Sequence, residues 1–189
     1  TEAYAARVRQ LGEEPWRITV SGAPGLDNLA GFEPLPEAEL KKAVGLRAIG
    51  KPLLITFHPT TLDPTPPREQ VASLLSALDD LEMPLIFTAP NADPGRSEML
   101  GMIDAFVERH RANAVVLASL GHRLYFSAMA HAAAMAGNSS SGIIEAAAFK
   151  LPVLDIGSRQ EGPLKPGNVL TVPNQPDTVC LGPGAITDP

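Results

Sequence analysis

Gly137-Asn138-Ser139-Ser140-Ser141-Gly142-Ile143-Ile144-Glu145 is the stretch on which the fold turns. A short run ending near Gly137 gives way here to a helical pattern that starts at residues 140–142 and ends near Lys150. A strand that hands over to a helix through a glycine-bracketed turn is part of a βαβ unit. The same alternation extends both ways. Downstream, Val153–Ile156 reads as a strand and Val169–Val172 as a last one. Upstream, residues 124–135 read as an alanine-rich helix, 114–118 as a strand, 97–109 as a helix and 84–88 as a strand. Residues 68–82 place Val71, Leu74, Leu75, Leu78 and Leu81 at helical spacing. Residues 53–57 form the apolar run of a buried strand. Before it, residues 36–44 fit a short helix with Pro36 near its start, 17–20 a short strand and 1–11 the end of a helix.

Strands alternating with helices predict right-handed crossovers and a parallel sheet covered on both faces. The expected fold class is therefore α/β, a doubly wound, Rossmann-like sheet. Residues 1–172 are expected to form one such domain, with 1–16 the tail end of a preceding domain or linker. Residues 173–189 are rich in Pro and Gly and are expected to run as an irregular, extended or disordered tail. The small side chains of residues 128–136 read as close helix–sheet packing. Ligands of such sheets sit beyond the carboxyl ends of the strands. That rule selects the loops at 58–61, 89–95, 119–123, 138–142 and 157–162.

The chain has 189 residues and a formal net charge of −6. That length buries a core without disulfides or metal. No stretch is strongly basic, which argues against nucleic acid or an anionic membrane surface as the main partner. An anionic small ligand stays compatible, because a phosphate site needs only local N–H groups and one or two cations. The single cysteine, Cys180, makes neither an intramolecular disulfide nor a metal cluster, and a reducing, cytoplasmic compartment is expected. No run of about 18 apolar residues predicts a membrane span. Thr1 opens directly into a helical pattern without a signal-peptide signature, and the absence of an initial Met suggests a piece of a longer protein.

Among the loops, the serine turn is the most informative. The first turn of a helix offers N–H groups and partial positive charge to a phosphate. Gly137 and Gly142 would let backbone approach a ligand closely. Ser139 and Ser140 can donate hydroxyl hydrogen bonds. Glu145, about one turn on, can accept from two neighbouring hydroxyls such as those of a ribose. The same residues also fit a plain helix cap with a first-turn Glu. Arg159, in Gly157-Ser158-Arg159-Gln160-Glu161-Gly162, offers a planar fork to a diphosphate, or is an exposed loop arginine. His58, after the strand at 53–57, is a candidate acid, base or hydrogen-bond donor, or simply caps the strand end. Asn91 and Asp93 lie in a turn sequence, and Ser119-Leu120-Gly121 could reach a base through backbone groups. Both also read as ordinary loops. His110, His122 and His131 are read as structural. No residue set has metal-ligand spacing, and neither a Gly-x-Ser-x-Gly elbow nor a Walker loop is present.

Five stretches occur in order: Ser21-Gly22-Ala23-Pro24-Gly25-Leu26-Asp27-Asn28, Thr56-Phe57-His58-Pro59-Thr60-Thr61, Pro90-Asn91-Ala92-Asp93-Pro94-Gly95, the serine turn through Ala146, and Gly157 to Gly162. Together they resemble the hydrolysing UDP-N-acetylglucosamine 2-epimerases over residues 1–172. The non-hydrolysing 2-epimerases usually continue the histidine loop with Arg and Glu-Asn, whereas Pro59-Thr60-Thr61 follows here. The resemblance implies the carboxyl-terminal, UDP-binding domain of a two-domain glycosyltransferase-B-type fold. It implies that Ser139 and Ser140 hold the diphosphate with Arg159 nearby, that Glu145 binds ribose, and that the loop ending at Gly121 contacts uracil. Asn138 and Gly142 belong to the same UDP-binding turn. His58 would face the reacting sugar as acid or electrostatic stabiliser, and Asn91 and Asp93 would line the cleft.

The implied reaction eliminates UDP and adds water, giving N-acetylmannosamine, a sialic-acid precursor, or a related 2-acetamido sugar. No cofactor or metal is implied beyond UDP or a UDP-sugar as ligand. The implied partners are the UDP-sugar, an amino-terminal domain carrying the catalytic carboxylates, and a second copy in a homodimer. Two alternatives stay open: another UDP-sugar-dependent enzyme of the same fold, such as a glycosyltransferase, and a non-catalytic UDP-sugar-binding domain.

Overall fold

A computed structural model describes residues 1–162 and 164–175. The tail beyond Gln175, expected to be irregular, and Cys180 with it, lie outside the described residues. Two compact units are present, Thr1–Phe32 and a second that begins at Glu33.

The first unit carries α1, Glu2–Gln10, capped by Thr1, whose Oγ1 accepts from the Tyr4 N–H at 3.4 Å. Two 3-10 turns follow, Pro15–Arg17 and Pro24–Leu29, each opened by a proline whose fixed φ suits a first helical position. The strand expected over residues 17–20 does not form. Pro15 commits the chain to a tight turn through Arg17. Ile18 and Val20 then have β-propensity but no ladder to join, and propensity alone does not make a strand.

The second unit is built on β1 (Leu53–Thr56), β2 (Leu85–Thr88), β3 (Ala114–Leu117), β4 (Ala134–Gly137), β5 (Val153–Ile156) and β6 (Val169–Val172). They form one sheet in the order β3-β2-β1-β4-β5-β6, with every neighbouring pair parallel. Its helices are α2 (Glu37–Val44), α3 (Pro67–Leu78), α4 (Arg96–Arg109), α5 (Gly121–His131) and α6 (Ser141–Ile144), the last followed by a 3-10 turn at Ala146–Phe149. Every residue of β1, β4 and β5 is buried, as expected for strands covered on both faces. On one face Val71, Leu74 and Leu78 of α3 and Met99, Ile103 and Phe106 of α4 cluster with Leu53, Ile55, Leu85 and Phe87. On the other, α6 lies against Met135 and Val153. Each fully buried Leu, Ile or Phe contributes about 1.5–3 kcal/mol of transfer free energy.

Several boundaries differ from the sequence expectation: the helix expected to run on to Lys150 stops at Ile144 and gives way to the 3-10 turn, and α5 begins at Gly121, three residues early. The alanine-rich stretch is not one helix to Met135: α5 stops at His131, and Ala134-Met135-Ala136 are strand residues. Alanine favours helix, but here the backbone of β4 pairs with β1 on one side and β5 on the other, and that tertiary pairing overrides propensity. α3 ends at Leu78, four residues earlier than expected, although Leu81 still packs against the core.

The chain runs outward from β1 through β2 to β3, then returns to β4 and runs outward the other way. The strand order therefore reverses between β1 and β4. At such a switch point the loops leaving adjacent strands diverge and open a crevice. Gly137 makes the approach of these strands possible. Its φ is 142°, and a Cβ there would stand 2.0 Å from the Thr56 carbonyl oxygen. Gly142 is needed for packing too, since a Cβ on it would stand 3.0 Å from Val153 Cγ1. Both glycines were expected to let backbone approach a ligand; the contacts they relieve are internal.

Candidate functional site

The loops leaving β1 and β4 are tied together by side chains that the sheet buries. Asn138 is 1% exposed. Its Oδ1 accepts from the His58 N–H at 2.7 Å, and its Nδ2 donates to the His58 carbonyl at 2.8 Å and to Thr60 Oγ1 at 3.4 Å. Gln70 on α3 does the same one step along. Its Oε1 accepts from the Thr60 N–H at 3.0 Å, and its Nε2 donates to the carbonyls of Thr60 at 3.2 Å and Thr65 at 2.7 Å. The Asn138 carbonyl accepts from Gln160 Nε2 at 3.0 Å and Arg159 Nη1 at 3.2 Å. These bonds fix the His58 loop against the serine turn.

His58 is buried, and its Nδ1 accepts from the Asn91 N–H at 3.1 Å. An accepting Nδ1 places the proton of the neutral imidazole on Nε2. Burial, and then the charge of Arg159, hold the His58 pKa down to about 4, with Asp93 acting in the opposite sense. Near neutral pH, His58 is thus an uncharged hydrogen-bond donor.

Two depressions flank this loop at the carboxyl edge of the sheet. One, of about 320 Å3, is lined by Thr56, His58, Thr88, Asn91, the 118–122 loop, Tyr125, Ser139 and Ser141. The other, of about 530 Å3, is lined by residues 59–62 together with Asp93, Ser158, Arg159 and Glu161. Arg159 Nη2 stands 3.9 Å from Asp93 Oδ2. The guanidinium is thus shared between the Asn138 carbonyl and a partly exposed ion pair.

The serine turn differs in detail from a simple helix-terminus anion site. The Gly142 N–H donates to the Ser139 carbonyl at 3.1 Å, and the Ile143 N–H to the Ser140 carbonyl at 3.0 Å. These N–H groups are therefore engaged, and α6 is only four residues long. What the turn presents is hydroxyls. Ser139 is half-buried and lines the smaller depression, whereas Ser140 is exposed and makes no capping bond. Beyond α6, Glu145 Oε2 is buried and accepts no hydrogen bond. Burial raises the Glu145 pKa. An orphaned carboxylate oxygen of this kind is costly and calls for an explanation.

The structure brings His58, Asn91, Gly121 and Ser139 around one depression, and Asp93 and Arg159 around the other. Ser140, Gly142, Glu145 and Asn138 line neither. The Asn138 amide is fully engaged with the His58 loop. Sequence reasoning missed Tyr125, Thr56, Thr88, Gln70 and Gln160. Tyr125 and Thr56 lie inside regular elements, where nothing in a single sequence separates a site hydroxyl from a core one. The sequence marks His122 as structural. It stacks on Phe126 but also borders the smaller depression. His110 and His131 bond to the carbonyls of Phe106 and Leu35. Among the described residues no group of three or more His, Cys, Asp or Glu could hold a metal ion, and no helix is long and apolar enough to cross a membrane.

A parallel sheet of this order, with hydroxyl, imidazole and carboxylate groups gathered at its switch point, defines a Rossmann-like domain, a class whose ligands sit at that point. The family model described as UDP-N-acetylglucosamine 2-epimerase matches residues 1–182, and the chain belongs to that family. It is 35% identical over 170 residues to the GDP/UDP-N,N'-diacetylbacillosamine 2-epimerase (hydrolyzing) of Campylobacter jejuni, covering 89% of this chain and 44% of that protein. It is 29% identical over 182 residues to the UDP-N,N'-diacetylbacillosamine 2-epimerase (hydrolyzing) of Legionella pneumophila, covering 96% of this chain and 48% of that one. Among solved structures, the Methanocaldococcus jannaschii UDP-GlcNAc 2-epimerase in complex with UDP-GlcNAc and UDP shares the fold. The TM-score is 0.72 at 14% identity, over 100% of this chain and 53% of that one. The chain spans about half the length of the curated relatives it matches.

Proposed function

We propose that this chain is the nucleotide-binding half of a hydrolysing UDP-sugar 2-epimerase. The observation that carries the nucleotide assignment is Glu145, whose buried Oε2 has no partner beside a hydroxyl-rich turn at the switch point. A vicinal diol, such as the 2′- and 3′-hydroxyls of a ribose, supplies the two donors a carboxylate accepts. Ser139 and Ser140 then meet the diphosphate, Arg159 reinforces them on release from Asp93, and the loop ending at Gly121 meets the base. Gly142 and Asn138 act indirectly, by packing α6 and by fixing the His58 loop.

The reaction is an elimination followed by hydration. A base takes the proton from C2 of the sugar, the C1–O bond to UDP breaks, and the electron pair leaves with the diphosphate. Water adds across the resulting double bond with C2 inverted, giving UDP and a free 2-acetamido sugar such as N-acetylmannosamine. In this scheme His58 is a stabiliser rather than an acid. With its proton on Nε2 and its pKa about 4, it donates a hydrogen bond to the departing diphosphate without being a cation. Asn91 fixes that tautomer, and Asp93 balances Arg159 at the cleft. The carboxylates that work at C2 come from a preceding domain, so the chain alone does not turn over, and any nucleotide it holds by itself is held weakly. A cytoplasmic location and dimerisation belong to the same proposal, and nucleic acid has no part in it.

Assaying release of free 2-acetamido sugar from UDP-N-acetylglucosamine and from a UDP-diacetamido-trideoxyhexose tests this reading. The protein extended through a preceding domain releases sugar and UDP in equal amounts, and His58→Asn slows release without abolishing UDP binding. Transfer of the sugar to an acceptor without release would instead make it a glycosyltransferase.

A further inference from the structure

A line of hydroxyls crosses the floor of the smaller depression. Thr88 Oγ1 stands 3.1 Å from Thr56 Oγ1, which stands 3.3 Å from the Tyr125 hydroxyl. Tyr125 stands 2.6 Å from Ser141 Oγ, and Ser141 Oγ stands 3.0 Å from Ser139 Oγ. The five residues come from β2, β1, α5 and the serine turn, and all of them line the same depression. Among the described residues, Tyr125 alone connects the sheet threonines with the serines.

Each hydroxyl has one proton and two lone pairs. Ser139 Oγ accepts from Ser141 Oγ and, at 3.4 Å, from the Ser141 N–H. Both of its lone pairs are then engaged, and its own proton is left to point into the depression. If Ser141 donates to Ser139, it accepts from Tyr125. Tyr125 then accepts from Thr56, and Thr56 from Thr88. The reverse order would end on the Ile55 carbonyl, 3.5 Å from Thr88 Oγ1, at the limit of a hydrogen bond. The forward order ends on a proton offered to the ligand, and an anionic oxygen there stabilises that order because aligned hydrogen bonds polarise one another.

We propose that Tyr125 is a positioning residue that sets the direction of the chain Thr88–Thr56–Tyr125–Ser141–Ser139, so that Ser139 donates to a phosphoryl oxygen of the nucleotide. The proposal rests on the nucleotide reading above. Burial raises the Tyr125 pKa, which keeps the phenol a donor throughout the neutral range. The expected selectivity is for anionic, acceptor-only groups at this point over hydroxyls.

The test is an NMR titration of the 189-residue chain with UDP and, separately, with uridine, on wild type, Tyr125→Phe, Thr56→Val, Ser139→Ala and the Tyr125→Phe/Ser139→Ala double variant. Tyr125→Phe should weaken UDP binding about 5–10-fold, the loss of roughly one neutral hydrogen bond, and leave uridine binding unchanged. Thr56→Val should act in the same direction and more weakly, which keeps the chain testable if the phenylalanine variant folds poorly. The double variant should be no weaker than Ser139→Ala alone. Equal losses for UDP and uridine would give Tyr125 a packing role and overturn the proposal, as would additive effects or an unchanged UDP affinity. In those cases the nucleotide reading stands. If the folded wild-type chain responds to neither ligand, that reading fails and this proposal fails with it.

Discussion

Two carboxamides and one carboxylate on the elements around the switch point are treated in opposite ways. Asn138 and Gln70 are buried with their amide groups hydrogen-bonded to the His58–Thr65 backbone. Glu145 is buried at one carboxylate oxygen and bonded to nothing there. A polar group that is fully paired inside the protein rigidifies the frame around it. One that is desolvated and unpaired lowers stability and is retained where a ligand completes it. The contrast separates the side chains that hold the crevice in shape from a carboxylate that, on the proposed function, a ligand completes.

The largest way to break the frame is at Gly137. Gly137→Ala puts a Cβ 2.0 Å from the Thr56 oxygen, so β1 and β4 must separate. The expected cost is about 4 kcal/mol or more, read as a collapse of the denaturant midpoint. Asn138→Ala comes next. It leaves a buried N–H and a carbonyl of His58 without partners, for a loss of about 2–4 kcal/mol in the same measurement.

A third effect is pH-dependent. In the unfolded chain His58 takes up its proton near 6.5, whereas in the fold it resists protonation until about 4. The unfolded state therefore binds more protons between these values, and stability is lost as pH falls from 6.5 toward 4. The displacement corresponds to at most about 3 kcal/mol. Urea titrations across this range should slope less for His58→Asn than for wild type. The smallest effect has the opposite sign. Glu145→Leu removes an unpaired buried acceptor and should leave stability unchanged or raise it by roughly 0.5–1 kcal/mol. A loss comparable to that of Asn138→Ala would erase the distinction between frame and ligand group.

How much of this was legible in the sequence follows the same division. The strands at 53–57, 84–88, 114–118 and 153–156 announced themselves as apolar runs, and the loops after them could be found from the rule for parallel sheets. β4 was obscured, because Ala134-Met135-Ala136 looks helical until β1 and β5 are placed beside it. The strand expected at 17–20 failed for the converse reason, since its pattern was right but nothing lay alongside. Gly137 and Gly142 stand out in the sequence, yet the contacts they relieve are internal and exist only once the strands and α6 are packed. Glu145 was visible from its place about one turn beyond the serines, but its orphaned oxygen was not. Gln70 and Tyr125 sit within helical patterns, and only the three-dimensional arrangement shows that they reach the loop backbone and the serine hydroxyls.

The most direct test of the central claim is a calorimetric titration of the chain with UDP, with Glu145→Ala and Ser140→Ala alongside and a melting curve for each. The account predicts that the wild-type chain binds UDP. It predicts that Glu145→Ala binds about 10–100-fold more weakly, the loss of one or two hydrogen bonds to a charged group, while melting no earlier than wild type, and that Ser140→Ala is weakened less. A folded wild-type chain that releases no heat with UDP, or a Glu145→Ala chain that binds as tightly as wild type, would contradict it.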